Sequence, residues 1–214
     1  MTAKAEWLTV AGDPDVWRSL GLVVSDDGLI PLMGTCIRIV DSTSIDAGMS
    51  ESGSTGLVGW AFSGVDEEAA GFVDGLLTDV VDPAGPLFAA HELGASGLDH
   101  VVVMTNDLDR TSSAVEAATG CERRRVREVG SMRQGFHRIG RGGLIVEIVE
   151  RGEVESATAS FWGLVLNVDD LDAACDLVGE GRISEPKDAV QPGRRIATVS
   201  NDVGLGLPVA LMTT

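Results

Sequence analysis

His100 and Glu147 are the residues whose types and setting could do chemistry. Each lies inside a strand-like apolar run, His100 as the one histidine of LDHVVVM and Glu147 as the inner glutamate of LIVEIVE. A neutral imidazole and a carboxylate that converge suit zinc, iron or manganese. Without a metal the same pair can move a proton, because a glutamate on an apolar wall has its pKa raised by desolvation. A third reading is a pair that is only hydrogen-bonded within the fold, the common state of isolated polar residues in strands. Alternation along 143–150 puts Ile145, Glu147 and Val149 on one face, which would aim Glu147 into any concave side of the sheet.

The elements that must position this pair follow from hydrophobic period and turn residues. The apolar run around His100 ends at Asn106-Asp107, and LDRTSSAVEAATG is a helix with Leu108, Thr111, Val115 and Ala118 as its buried stripe, closed by Gly120. CERRRVREV, MRQGFHRIG and GLIVEIVE are three strands. The pattern then restarts: FWGLVLNVDDLDAACDLVGEG (161–181) lays over LDHVVVMTNDLDRTSSAVEAATG (98–120) as strand, turn, helix and glycine. Residues 182–200 hold a strand-loop-strand and LGLPVALMT closes the unit. The first half reads as EWLTVA (strand), DPDVWRSLG (helix), LVV at 22–24 (strand), and two strands around Met33-Gly34. GLVGWAFSG (strand), DEEAAGFVDGLL at 66–77 (helix) and TDVVD at 78–82 (strand) follow a small acidic loop at 41–55. The chain is thus a repeat of βαβββ units, two clear ones in 94–214 and two degraded ones in 1–92. The expected class is α+β, with paired modules forming cupped mixed sheets.

Composition excludes some partners. The net charge is -17; residues 1–92 carry 3 basic and 15 acidic side chains, and residues 93–214 carry 13 and 18. Such a surface repels phosphate backbones, so no nucleic acid and no anionic membrane is expected as a partner. Cys36, Cys121 and Cys175 are widely spaced and odd in number, which argues against a disulfide framework or a cysteine-rich zinc site. MTAKAEWLTV lacks the pattern of a signal peptide, and no apolar run is long enough for a membrane helix, so a cytoplasmic location is expected. GRGG at 140–143 lacks the order of a phosphate loop, and there is no GxSxG.

LDHVVVMTNDLD, GLIVEIVE and FWGLVLNVDDLDAA carry a resemblance to the vicinal oxygen chelate superfamily: glyoxalase I, the bleomycin-resistance proteins and the extradiol dioxygenases. It covers 97–214 well and 1–92 weakly. The resemblance implies a glyoxalase-like domain at 94–214, a degenerate glyoxalase-like half at 1–92, and a cup that holds a small molecule. In metal-dependent members each module supplies one ligand from its first strand and one from its last. Carried over, these positions are His100 and Glu147. The second module departs from the pattern: Gly163 falls where His100 does and Ala210 where Glu147 does. Trp7 and Trp60 fall roughly at the first-strand positions of the first half. The family supplies no substrate, and a homodimer suits it as well as a monomer. The leading expectation is therefore a small-molecule binding protein without a complete metal site. The alternative is a metal-dependent lyase, isomerase or dioxygenase using His100 and Glu147, with His91, His137, another carboxylate or a second subunit completing the ligand set. A structural protein with a filled cup is the third.

Further candidates surround the pair. Seven basic residues lie between Arg123 and Arg141. Alternation puts Arg123, Arg125 and Arg127 on one face, Arg133 with His137 on one face of the next strand, and Gln134 with Phe136 and Arg138 on the other. Most would pair with surplus carboxylates, while one or two facing the cup could grip a carboxylate or phosphate. Arg133, Gln134 and His137 are taken as ligand-binding candidates, together with Trp162 and with Gln191 and Arg194 of the EPKDAVQPGRR loop, expected over the mouth of the cup.

Overall fold

The computed structural model describes residues 2–41, 55–85, 87–152 and 155–214; most of the acidic loop at 41–55 lies outside them. The first half runs β1 (Lys4–Ala11), α1 (Pro14–Arg18), β2 (Leu29–Ile30), β3 (Cys36–Val40), β4 (Gly56–Ser63), a 3-10 turn (Glu67–Ala69), β5 (Gly71–Val73) and β6 (Leu76–Val80). The second runs β7 (Ala95–Thr105), α2 (Leu108–Thr119), β8 (Arg123–Val129), β9 (Met132–Arg138), β10 (Ile145–Glu150), β11 (Ser160–Val168), α3 (Leu171–Val178), β12 (Lys187–Asp188), β13 (Arg195–Thr198) and β14 (Val209–Thr213). This is an α+β fold with two open mixed sheets, ordered β2-β3-β1-β4-β6-β5 and β12-β13-β14-β11-β7-β10-β9-β8.

Each sheet is a pair of modules joined back to back through their first strands. In the second half β7 and β11 run antiparallel, while β10 lies parallel to β7 and β14 parallel to β11. In the first half β1 and β4 run antiparallel, with β3 parallel to β1 and β6 parallel to β4. The first-half modules are each one strand short. Two expectations fail there. Residues 22–24 form no strand, and 66–77 is not a helix but a 3-10 turn followed by β5 and part of β6. The apolar spacing of Phe72, Val73 and Leu76 suited either period; Asp74-Gly75 supplies the positive φ of a tight hairpin, and the hairpin forms.

One core serves both sheets. Val101 and Val103 of β7, Leu8 and Val10 of β1, and the apolar stripes of the helices are buried in a single cluster. Trp60 is 1% exposed and packs against Phe62 and, edge-on, against Phe161 of the other sheet. Asp74 ties the halves further, accepting from Arg110 Nε (2.9 Å) and Thr111 Oγ1 (2.5 Å) in the first turn of α2. Helix ends follow local chemistry: Asp107 and Asp170 cap α2 and α3, and Gly120 takes the left-handed conformation that ends α2.

Candidate functional site

Strand register defines the site before any side chain is considered. In the module of β7 and β10, Glu147 pairs with Val102, two residues beyond His100. The same rule gives Gly163 and Ala210 in the module of β11 and β14, where Ala210 pairs with Val165. In the first half it gives Trp7 with Arg38, which pairs with Thr9, and Gly59 with Asp79, which pairs with Ala61. The second-half overlay therefore stands as read from the sequence. Trp60 does not: β4 puts Gly59 at that position and turns Trp60 into the core, where its Nε1 donates to Thr78.

A β-bulge precedes each of these first-strand positions. The β7–β11 register skips Asp99 immediately before His100 and Trp162 immediately before Gly163. A bulge lets two successive residues reach the same side of a strand. Asp99 and His100 use this: His100 Nδ1–H donates to Asp99 Oδ2 at 2.8 Å. Arg194 clamps the other Asp99 oxygen at 2.7 Å, while also donating to Asn167 Oδ1 and to the Thr213 carbonyl. Burial alone would raise Asp99, but hydrogen bonds from His100 and Arg194 outweigh it and hold the carboxyl below its usual range.

With Nδ1–H committed to Asp99, Nε2 of a neutral His100 carries the free lone pair. It lies 3.4 Å from Glu147 Oε2. Gln134 Nε2 donates to the other Glu147 oxygen at 2.7 Å, and Gln134 Oε1 is buried with no hydrogen-bond partner. Burial pushes the Glu147 carboxyl above the ordinary glutamate value, against the pull of His100 and Arg127. The sign follows: the folded state keeps a proton that the unfolded chain releases near 4.5, so this contribution to stability is present below 4.5 and is lost as pH rises through the raised value. The urea midpoint of the wild type relative to that of Glu147→Gln is expected to fall by this loss from about pH 4 to about pH 8.

His100, Gln134 and Glu147 line one wall of a cavity of about 310 Å³. The opposite wall is apolar: Trp162, Leu164, Val165, Val209 and Ala210. Trp162, 52% exposed, stands at its rim. Four other candidates are not in this lining. Arg133 and His137 point to the helix side of β9, because strand alternation separates them from Gln134. Arg133 there bridges Asp109 and Glu150. His137 is 1% exposed, donates from Nδ1 to the Cys121 carbonyl (2.8 Å) and accepts at Nε2 from Ser112 Oγ (2.6 Å). Arg194 is consumed by Asp99, and exposed Gln191 lies in the turn between β12 and β13, where its carbonyl accepts from Arg194 N–H. Arg123 also departs from its expected face: a bulge at Arg124 sends it to Asp109 on α2. The residue that sequence reasoning missed is Asp99; an acid directly preceding the lone histidine was the available signal.

The donor set does not fit a divalent metal of the usual three or four protein ligands. Gly163 and Ala210 offer no side-chain donor. His91 is used by the fold, accepting from Val23 N–H and donating to the Pro31 carbonyl. His137 is used as described above. Among the described residues no group of three or more His, Cys, Asp or Glu is placed to hold an ion.

No helix among the described residues is long and apolar enough to cross a membrane. Comparison with known proteins places the fold. No curated protein matches the sequence. A triple variant of 4-hydroxymandelate synthase from Streptomyces coelicolor superposes with a TM-score of 0.68 at 16% identity, covering 98% of this chain and 92% of that one. Methylmalonyl-CoA epimerase from Mycobacterium tuberculosis gives a TM-score of 0.48 at 16% identity, covering 56% of this chain and 89% of that one. The family model of the Glyoxalase/Bleomycin resistance protein/Dioxygenase superfamily matches residues 97–200. The sequence match to that superfamily spans residues 97–200, and the likeness in fold, with paired modules and a cupped sheet, extends over 98% of the chain.

Proposed function

We propose that the protein binds a small molecule in the second-half cup and does so without a metal. The observation that carries this reading is the asymmetry of the cavity: one module supplies His100, Glu147 and Gln134, and the other supplies only apolar surface at the matching positions. The ligand this suits has a polar head, received by Nε2 of His100 and by the unpartnered Gln134 Oε1, and an apolar body against Trp162, Val165 and Ala210. In this reading residues 94–214 are the glyoxalase-like domain and residues 1–92 a degenerate half, in a cytoplasmic protein. Both cup modules come from one chain, so a homodimer would add a second copy of the site rather than complete it.

The Asp99–His100 hydrogen bond favours a second reading, proton transfer. An imidazole oriented by a buried carboxylate presents a fixed lone pair, the arrangement of a general base, and Glu147, whose carboxyl burial pushes upward, is the matching acid beside it. Binding and proton transfer share one site and differ in whether a bound ligand turns over.

The test is elemental analysis of protein purified without chelator or histidine tag, followed by addition of zinc, iron and manganese. No stoichiometric metal is expected. Stoichiometric metal that disappears in His100→Ala would overturn the reading in favour of a metal-dependent lyase, isomerase or dioxygenase. A fragment screen by ligand-observed NMR completes it: hits are expected to be lost in Ala210→Trp, which fills the apolar wall.

A further inference from the structure

The first-half sheet has a cup of its own. Its register positions matching His100 and Glu147 hold Trp7 and Arg38, and the residue skipped by the bulge before Trp7 is Glu6, as Asp99 is before His100. The positions are thus repeated while the chemistry is exchanged: a metal-type pair on one sheet, a cation and an indole on the other. The Arg38 guanidinium lies over the Trp7 ring, 4.1 Å from its centroid. Glu6, with its side chain 1% exposed, accepts from Ser63 Oγ and Lys4 Nζ, both at 2.5 Å, which holds Lys4 at the same edge.

These groups line a cavity of about 650 Å³. That is within the usual range for small-molecule sites. Charge is the telling feature. Residues 1–92 have three basic side chains against fifteen acidic ones, and two of the three, Lys4 and Arg38, line this cavity. The third, Arg18, pairs with Asp15. Asp27 feels the Arg38 charge from a distance, but among the described residues no carboxylate forms a close ion pair with the guanidinium. Stacking on an indole leaves the N–H edges of a guanidinium open to an in-plane acceptor. Around it stand Met33, Leu87 and Phe88, exposed by 60%, 42% and 67%, at the rim of the same cavity. Large apolar side chains gathered exposed around a cationic centre mark a binding surface.

We infer that the first-half cup is a second small-molecule site, selective for an organic carboxylate with a flat apolar body: Arg38 takes the carboxylate, and Trp7, Met33, Leu87 and Phe88 take the body. It is independent of the second-half cup and of whether that cup binds metal.

The probe is 2-naphthoate, with neutral 2-naphthamide as its control, titrated into the full chain while the indole N–H resonances of the four tryptophans are followed by NMR. Trp7 reports this cup and Trp162 the other, and Trp17 and Trp60, 0% and 1% exposed, are internal references. The expected result is a saturable shift of Trp7 with 2-naphthoate, with binding at least about tenfold weaker for 2-naphthamide in the wild type and for 2-naphthoate in Arg38→Met. Arg38→Lys should retain most of the affinity. An unmoved Trp7, equal affinities for acid and amide, or unchanged affinity in Arg38→Met would each overturn the inference. The acid–amide comparison needs no variant, so it stands even if Arg38→Met does not fold. A shift at Trp162 alone would support the other cup and overturn this one.

Discussion

Gly163→Ala is expected to destabilise the fold by about 1–3 kcal/mol, the usual cost of forcing extra volume into a packed site. A Cβ at this position would sit 2.5 Å from the Pro208 carbonyl oxygen and 3.1 Å from the Pro208 Cβ. The obstructing oxygen is backbone, and it accepts the Leu164 N–H at 3.1 Å, so it has little freedom to retreat. Gly163→His, which puts an imidazole at the position matching His100 in register, is expected to cost more than alanine and to gain no tight zinc site. Urea denaturation with and without zinc checks both variants. A well-folded Gly163→His protein that binds zinc stoichiometrically would contradict the steric account. In the second module the Pro208 backbone thus occupies the place where a side chain at position 163 would stand.

His137→Ala is expected to lose about 3 kcal/mol, from a buried void plus the Cys121 carbonyl and Ser112 hydroxyl left without their partner. The wild-type side chain joins α2 to β9 from inside the core. Its titration gives an independent signature. Desolvation, the largest influence, holds His137 below its usual 6.5 against the Cys121 hydrogen bond, which favours the charged form. The unfolded chain takes up a proton at higher pH than the folded one. The associated stability is therefore fully present above about 6.5 and is lost as pH falls toward the lowered value. The stability gap between the wild type and His137→Ala is expected to narrow as pH falls through that window. Denaturation midpoints across the window measure it. Ligand binding in the second-half cup should survive the substitution in the folded fraction, because His137 faces away from the cavity.

Much of the site was legible because strand periodicity is strict. Glu147 among Ile145 and Val149, and Gln134 opposite His137 in the alternation of β9, could be assigned to faces from the sequence. Read consistently, the same alternation separates Gln134 from Arg133 and His137, so grouping all three around one ligand asked more of β9 than a strand can give. Bulges were not legible. One extra residue at Asp99, at Trp162 or at Arg124 resets the alternation, and nothing local announces it. For that reason strict alternation sets Asp99 on the face opposite His100 and gives Arg123 the wrong face. The helix expected over 66–77 failed for a related reason. A short apolar run fits both periods, and pairing with β6 decided between them.

The sequence by itself determined the α+β class, the repeated order of elements, and the matching of His100 and Glu147 in one module with Gly163 and Ala210 in the next. These are matters of order, spacing and residue type, which survive in one dimension. The tertiary structure alone decided what those residues touch: that Arg194 is spent on Asp99, that His91 and His137 are held by backbone carbonyls, and that Trp7 and Arg38 meet in a second cup. Such pairings join residues far apart in the chain, and their geometry is set by bulges and strand register rather than by any local preference.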